Sequence, residues 1–204
     1  TSPIDPNLEE APEYRRLREK AESHANAGRL NEALAASRQT TAWAEQQNLP
    51  RYRDQAYCGQ AIMKISLGRG ERTTPQLRRI LLGSSHPIPK VLAASSLAFF
   101  HEQRGELDKS IGYAKRALHF STQCRHARHT VRSLNRLAST QVVTNDFEAA
   151  RRNLLKALDT LKEVNPDEDP LTGWAQGVLM GNLGSSLVFL GKAREGLGHL
   201  ASSY

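Results

Sequence analysis

The sequence predicts an all-α fold, a solenoid of about five stacked helical hairpins, and three observations predict it. Residues 105–118, GELDKSIGYAKRAL, have an echo in 145–158, NDFEAARRNLLKAL: each opens on a turn former, continues with an acidic and then an apolar residue, sets a small residue sixth (Ser110, Ala150) and ends in Ala-Leu. Short turns recur like marks on a ruler, beginning at 28, 68, 105, 145 and 191, with spacings of 40, 37, 40 and 46. Between them apolar residues fall at helical spacing, as in Leu134, Leu137 and Ala138 with Gln141 on the same face, and no sustained run alternates Val, Ile or Thr with polar residues.

The elements follow in order. Residues 1–13 read as an N-terminal extension, and 14–204 as one solenoid domain with units at roughly 14–50, 51–87, 88–125, 126–169 and 170–204. In the first unit Leu17, Ala21, His24 and Ala25 mark a helix that ends at Gly28-Arg29. Pro50 opens the second unit, whose turn is Gly68-Arg69-Gly70. Its second helix is expected to start late, because Pro75 suits only a first helical turn. Pro87 and Pro89 open the third unit, with its turn at Gly105-Glu106, and Asn145-Asp146 divides the fourth. Pro166 and Pro170 sit in KEVNPDEDPLTG (162–173), the clearest inter-unit loop, and Gly191-Lys192 divides the fifth unit. Gly and Asn tolerate the left-handed conformation that closes a helix.

Composition narrows the function classes. The 204 residues are 39% hydrophobic and carry a net charge of +7. No apolar run approaches the roughly 18 residues of a membrane helix, and the first residues have neither the basic nor the apolar region of a signal peptide. Cys58 and Cys124 form neither a disulfide framework nor a zinc pattern, so a reduced, cytoplasmic setting is expected. Residues 51–130 hold 14 Lys+Arg against 5 Asp+Glu, which concentrates the positive charge mid-chain. Such a section can attract nucleic acid, but it lacks aromatic platforms between its basic residues, and a solvated arginine face is the plainer reading. The chain has no initiator Met and stops at GLGHLASSY, inside a helix that would leave Leu197, Leu200 and Tyr204 uncovered. It is therefore expected to be part of a longer protein or to pair with a second copy.

The repeat pattern resembles the tetratricopeptide repeat (TPR) family. The third unit carries Leu97-Ala98, Gly105-Glu106-Leu107, Ser110 and Ala117; the fourth carries Leu137-Ala138, Asn145-Asp146-Phe147, Ala150 and Ala157. The first (Ala21, Gly28-Arg29-Leu30, Ala33) and fifth (Leu183-Gly184, Gly191-Lys192-Ala193, Gly196) follow, and the second departs, with Thr73 at the small position. The aromatic position of the first helix is replaced by His24, Lys64, His101, Gln141 and Leu187. The resemblance implies a right-handed α-α superhelix whose small residues lie where helices cross. Units longer than the family's usual length imply longer second helices and longer inter-unit loops. Similar arrays of long repeats occur in bacterial regulatory proteins, ahead of output domains.

No catalytic constellation stands out. HExxH and GxSxG are absent, and GRGERTT lacks the end of a phosphate-cradling loop. A Cys–His pairing has no support from spacing alone, so no enzyme activity, cofactor or metal is expected. CRHARH (124–129) carries metal-type side chains but reads as a polar junction between units three and four. What the resemblance implies instead is binding by the concave face, lined by first helices. Its positions are Arg15, Arg18, Glu22 and Asn26 in unit one; Gln55, Cys58, Ile62 and Ile65 in unit two; Leu92, Ser95, Phe99 and Gln103 in unit three; Arg132, Asn135, Ser139 and Val142 in unit four; and Val178, Gly181, Ser185 and Phe189 in unit five. Arg136 and Asn182 stand beside them.

The expected site is Phe99, Gln103, Arg132, Asn135, Arg136, Ser139, Asn182 and Ser185. Asn both donates and accepts and so pairs with an extended backbone, and Arg grips carboxylates. The expected partner is a protein or peptide, with an acidic one favoured. A sensory or dimerisation module of a bacterial transcription regulator or diguanylate cyclase is the alternative, with a homodimer as its partner. The carboxylate-clamp specialisation of the family does not fit, because Glu22 stands where that clamp needs an amide.

Overall fold

Every element that the turn ruler separates is a helix. The computed structural model describes residues 11–164 and 172–201, without the side chains of 172–174. The helices are α1 (Pro12–Asn26), α2 (Leu30–Gln46), α3 (Pro50–Ser66), α4 (Thr74–Gly83), α5 (Pro87–Gln103), α6 (Leu107–Gln123), α7 (Ala127–Val143), α8 (Phe147–Leu161), α9 (Thr172–Phe189) and α10 (Ala193–Ala201), and a single 3-10 turn, Glu71–Thr73, leads into α4. They pair as the five expected hairpins. Residues 1–10 of the expected extension (1–13), most of the acidic loop (165–171) and Tyr204 lie outside the described residues.

Among the described residues one closure recurs at seven helix ends. Gly28, Asn48, Gly68, Gly105, Arg125, Asn145 and Gly191 all have φ between 49° and 76°. At each, the following amide donates five residues back, for example Arg29 to the His24 carbonyl, Glu106 to His101 and His126 to Ser121. This Schellman geometry satisfies carbonyls that a helix end would leave open. Two of the seven, Asn48 and Arg125, join one hairpin to the next. The expected longer inter-unit loops are therefore absent at 47–49 and 124–126, where the link is as short as the turn inside a hairpin. The extra length goes into helix instead: α2 and α6 have 17 residues each. Arg125 is the one closure residue that is neither Gly nor Asn. Because its Cβ crowds the backbone there, Arg125→Gly is expected to raise stability by about 1 kcal/mol, read in a urea melt.

Stacking sets an inside and an outside. First helices touch first helices along the array (α1 with α3, α3 with α5, α5 with α7, α7 with α9), while among the described residues no such contact joins α2, α4, α6, α8 and α10 in turn. The first helices thus crowd the concave side and the second helices spread over the convex side.

Small residues sit at the crossings, as expected. Ala33, Ala98, Ser110, Ala114, Ala117, Ala138, Ala150 and Ala157 are wholly buried. In the last hairpin glycines do the same job: a Cβ on Gly196 would stand 2.6 Å from the Gly184 carbonyl oxygen. Leucines fill the spaces between crossings, with Leu97, Leu134, Leu154, Leu179, Leu183 and Leu187 each 0–1% exposed. Burying one such side chain contributes about 1.5–3 kcal/mol.

The missing aromatic position is filled by other means. His101 is buried and lies flat on Tyr113, with ring centroids 5.3 Å apart and planes 2° apart. Its Nδ1 meets Glu106 Oε2 at 2.9 Å, and Lys109, Arg104 and His101 together hold the Glu106 carboxyl down at about 2. Gln141 accepts from Asn153 at 2.7 Å, and Lys64 lies over the Tyr57 ring.

The second hairpin is irregular as its sequence suggests. Thr73 is 1% exposed at the small position, and its hydroxyl donates to the Gly70 carbonyl at 2.6 Å. Helix α4 starts late and has 10 residues. The neighbouring α5 closes on α3, where Ser96 Oγ donates to the Cys58 carbonyl at 3.4 Å.

Candidate functional site

The concave side of α5, α7 and α9 carries a linked set of polar and aromatic side chains. Phe99, on α5, is half-buried, and the Arg136 guanidinium lies over its ring, 4.8 Å from the centroid. The same arginine donates to Glu102 Oε2 at 3.3 Å, which also accepts from Thr140 Oγ1 at 3.3 Å. One turn back on α7, Asn135 Oδ1 accepts from Asn182 Nδ2 of α9 at 2.9 Å. Ser139 is half-buried one turn further along. Ser185 donates to the Gly181 carbonyl at 3.0 Å, bonding back along its own helix. Arg132 is exposed on the face that holds Arg136, and Gln103 is exposed at the end of α5.

Six of the eight expected residues thus lie along facing stretches of three successive first helices, and hydrogen bonds hold several of them in place. Sequence reasoning did not select Glu102 and Thr140. The signal that could have found Glu102 is its place one helical turn after Phe99, which puts it on the same face.

Unit two departs from expectation. Cys58 is wholly buried, and Gln55 and Ile65 are 8% and 6% exposed, so only Ile62 (37%) reaches the surface. The cause is the approach of α5 to α3 described above. The Cys58 thiol points toward the Pro89 carbonyl, and burial pushes its pKa far up, which makes it a poor nucleophile. Phe189 also leaves the concave face. It stacks on Phe147 with centroids 4.8 Å apart, at the end of the last two hairpins.

A second cluster lies at the start of α7. This helix contains no Asp or Glu, and Arg128, Arg132 and Arg136 form a stripe at i, i+4 and i+8. Like charges at that spacing cost about 0.2–0.5 kcal/mol per pair, and cations at a helix N-terminus oppose the helix dipole by about 0.3–1 kcal/mol each. No side chain caps this N-terminus. Across the groove, Glu22 of α1 takes Arg18 at 2.6 Å and reaches Arg128 at 3.8 Å. That contact joins the first hairpin to the fourth, so the superhelix curls enough for long side chains of α1 and α7 to meet across the groove. Between these arginines the His126 and His129 rings lie 4.4 Å apart. Burial lowers the pKa of His126, with Arg128, Arg51 and Arg132 adding to it. Burial pushes His129 well below the ordinary value, helped by His126, Arg132, Arg128 and Arg18.

The expected junction at 124–129 is therefore where four arginines from three helices converge. Cys124 Sγ turns away to the Ser121 carbonyl at 3.3 Å. Among the described residues no three His, Cys, Asp or Glu side chains are grouped as a metal would need.

Solved structures share this architecture. The nearly identical TPR-like repeats of a Podosopora anserina kinesin light chain superpose with a TM-score of 0.59 at 16% identity, over 96% of this chain and 97% of that one. BtubC from P. vanneervenii gives 0.53 at 16% identity, over 85% and 89%. MamA from AMB-1 gives 0.50 at 18% identity, over 94% and 90%. The fold is TPR-like. No protein-family model matches the chain, and no curated protein sequence does. At these identities the likeness is one of fold, and function has to be read from the site. Within the TPR-like frame, the Phe99–Arg136–Glu102 and Asn135–Asn182 sets occupy the concave side. No helix among the described residues is long and apolar enough to cross a membrane.

Proposed function

We propose that the chain is a non-catalytic scaffold that binds a protein or peptide segment on the concave face of its TPR-like solenoid, over units three to five. The observation that carries this reading is the prearranged row of Phe99 under Arg136, Arg136 on Glu102, and Asn135 on Asn182. These side chains are partly exposed and fixed by one another, so a ligand meets ordered groups and loses less entropy in binding. The Phe99 ring and Ile62 offer apolar contact. Arg132 offers a charge for a carboxylate, and the Asn pair offers a donor and acceptor to an extended backbone.

The test is affinity for a panel of peptides, each with one apolar residue flanked by Asp and Glu. Arg132→Ala with Asn135→Ala is expected to weaken binding by about 10-fold or more, the size of a lost charge-assisted hydrogen bond. Unchanged affinity in that double variant would remove the site assignment.

Self-association is a second reading, favoured by one observation. Val188, Phe189 and Leu197 of the last hairpin are 39%, 64% and 61% exposed, and a second copy is one surface that would cover them. Sedimentation across a concentration series separates the readings, since a strict monomer throughout counts against this one.

A further inference from the structure

The convergence at the start of α7 is more than a junction. It lies beyond the Phe99–Asn182 row and shares only Arg132 with the expected site. Its residues come from three first helices: Arg18 and Glu22 from α1, Arg51 from α3, and Arg128 and Arg132 with His126 and His129 from α7 and its cap. Positive charge is gathered here against the helix dipole, on a helix with no acidic residue. Arg51 Nε is buried and has no hydrogen-bond partner, which a buried polar group keeps only at a cost. The cluster already meets two carboxylates: Glu22 bonds Arg18 and reaches Arg128, and Glu19 stands 3.8 Å from Arg18. It therefore shows which chemistry it accepts.

We propose that Arg18, Arg51, Arg128 and Arg132, gathered over the first turns of α7, form an anchor for a carboxylate cluster of an acidic peptide, with Glu22 as the internal group that the ligand displaces. The proposal rests on the concave-face reading above and names the class of partner and where its acidic end is held. It also predicts a proton linkage. His126 and His129 are kept neutral by desolvation and by Arg18, Arg51, Arg128 and Arg132, and Glu22 is the carboxylate opposite them. A ligand cluster that brings more than the one carboxylate it displaces favours their charged forms and raises their pKa values. Binding then takes up protons, and affinity increases as pH falls from neutrality toward the imidazole range.

The test uses the full chain and two probes, hexaglutamate and hexaglutamine, in calorimetric titrations at low salt. Hexaglutamate is expected to bind at least about 10-fold more tightly than hexaglutamine. Arg51→Gln with Arg128→Gln is expected to remove most of that difference. Glu22→Gln, which deletes the competitor, is expected to tighten binding by a few-fold, a gain that misfolding would not produce. Affinity is expected to increase by about 3-fold or more between about pH 7.5 and about pH 6, and His126→Asn with His129→Asn is expected to flatten that rise.

Equal binding of the two probes, equal binding by wild type and the Arg51/Arg128 variant, or displacement of hexaglutamate by inorganic phosphate at the same concentration overturns the proposal. If the apolar-acidic peptides lose affinity with Arg132→Ala and Asn135→Ala but not with Arg51→Gln and Arg128→Gln, the concave-face reading stands and this anchor falls. If neither pair matters, both fall.

Discussion

Leu97→Ala is expected to lower the unfolding free energy by about 2–5 kcal/mol, the largest single effect of any core substitution considered. Leu97 is wholly buried in the cluster formed by Cys58, Ala61, Leu77, Val91, Ala94 and Ala117. Truncation removes the transfer energy of three heavy atoms and leaves a cavity that the surrounding cluster fills only in part. For a chain of this length the fall in Tm is expected to be about 5–15 °C. The position adds a second signature. In a stacked array each hairpin is stabilised by its neighbours, so weakening the middle unit uncouples the two ends. The urea transition is therefore expected to broaden as well as shift. Leu82→Ala is the control: Leu82 is 75% exposed, and its loss is expected to change stability by less than about 0.5 kcal/mol.

The second large effect concerns two glycines that sequence alone treats alike. Helix propensity says that Gly→Ala inside a helix stabilises by about 1 kcal/mol. Gly112 in α6 has open space where a Cβ would go, and Gly112→Ala is expected to follow that rule. Gly196 in α10 is expected to break it. Its Cβ would stand 2.6 Å from the Gly184 carbonyl oxygen and 3.1 Å from the Val188 amide nitrogen, both backbone atoms of α9. Backbone cannot swing aside, so the helices must separate, and Gly196→Ala is expected to destabilise by about 1–3 kcal/mol. Thermal melts of the two variants should move in opposite directions, and a stabilised Gly196→Ala would refute the close crossing of α9 and α10.

The turn ruler was fully legible because Gly and Asn are needed where φ is positive, and the small residues were legible because helices can cross closely only over short side chains. Two closures escaped that logic. Asn48 carries the right residue type, but Pro50 marks the same junction more strongly, and Arg125 carries no local signal at all, since its left-handed conformation is imposed by the helices on either side. The inner face was legible in units three and four, where α5 and α7 keep regular spacing. It failed in unit two because the short α4 lets α5 press onto α3, a packing consequence that a position-by-position rule does not contain. The convergence of Arg18, Arg51, Arg128 and Arg132 was hidden for a different reason. It joins residues as far apart as Glu22 and Arg128, and that contact depends on the curl of the whole array. The arginine stripe on α7 was visible in the sequence, but the carboxylates that answer it were not.

The most direct test of the central claim is hydrogen exchange with and without a bound apolar-acidic peptide. Binding to the concave face predicts new protection in α5, α7 and α9, extending to the start of α7 and to α1 where Glu22 meets Arg128, with α6 and α8 unchanged. Protection confined to α6 and α8, on the convex side, would contradict it.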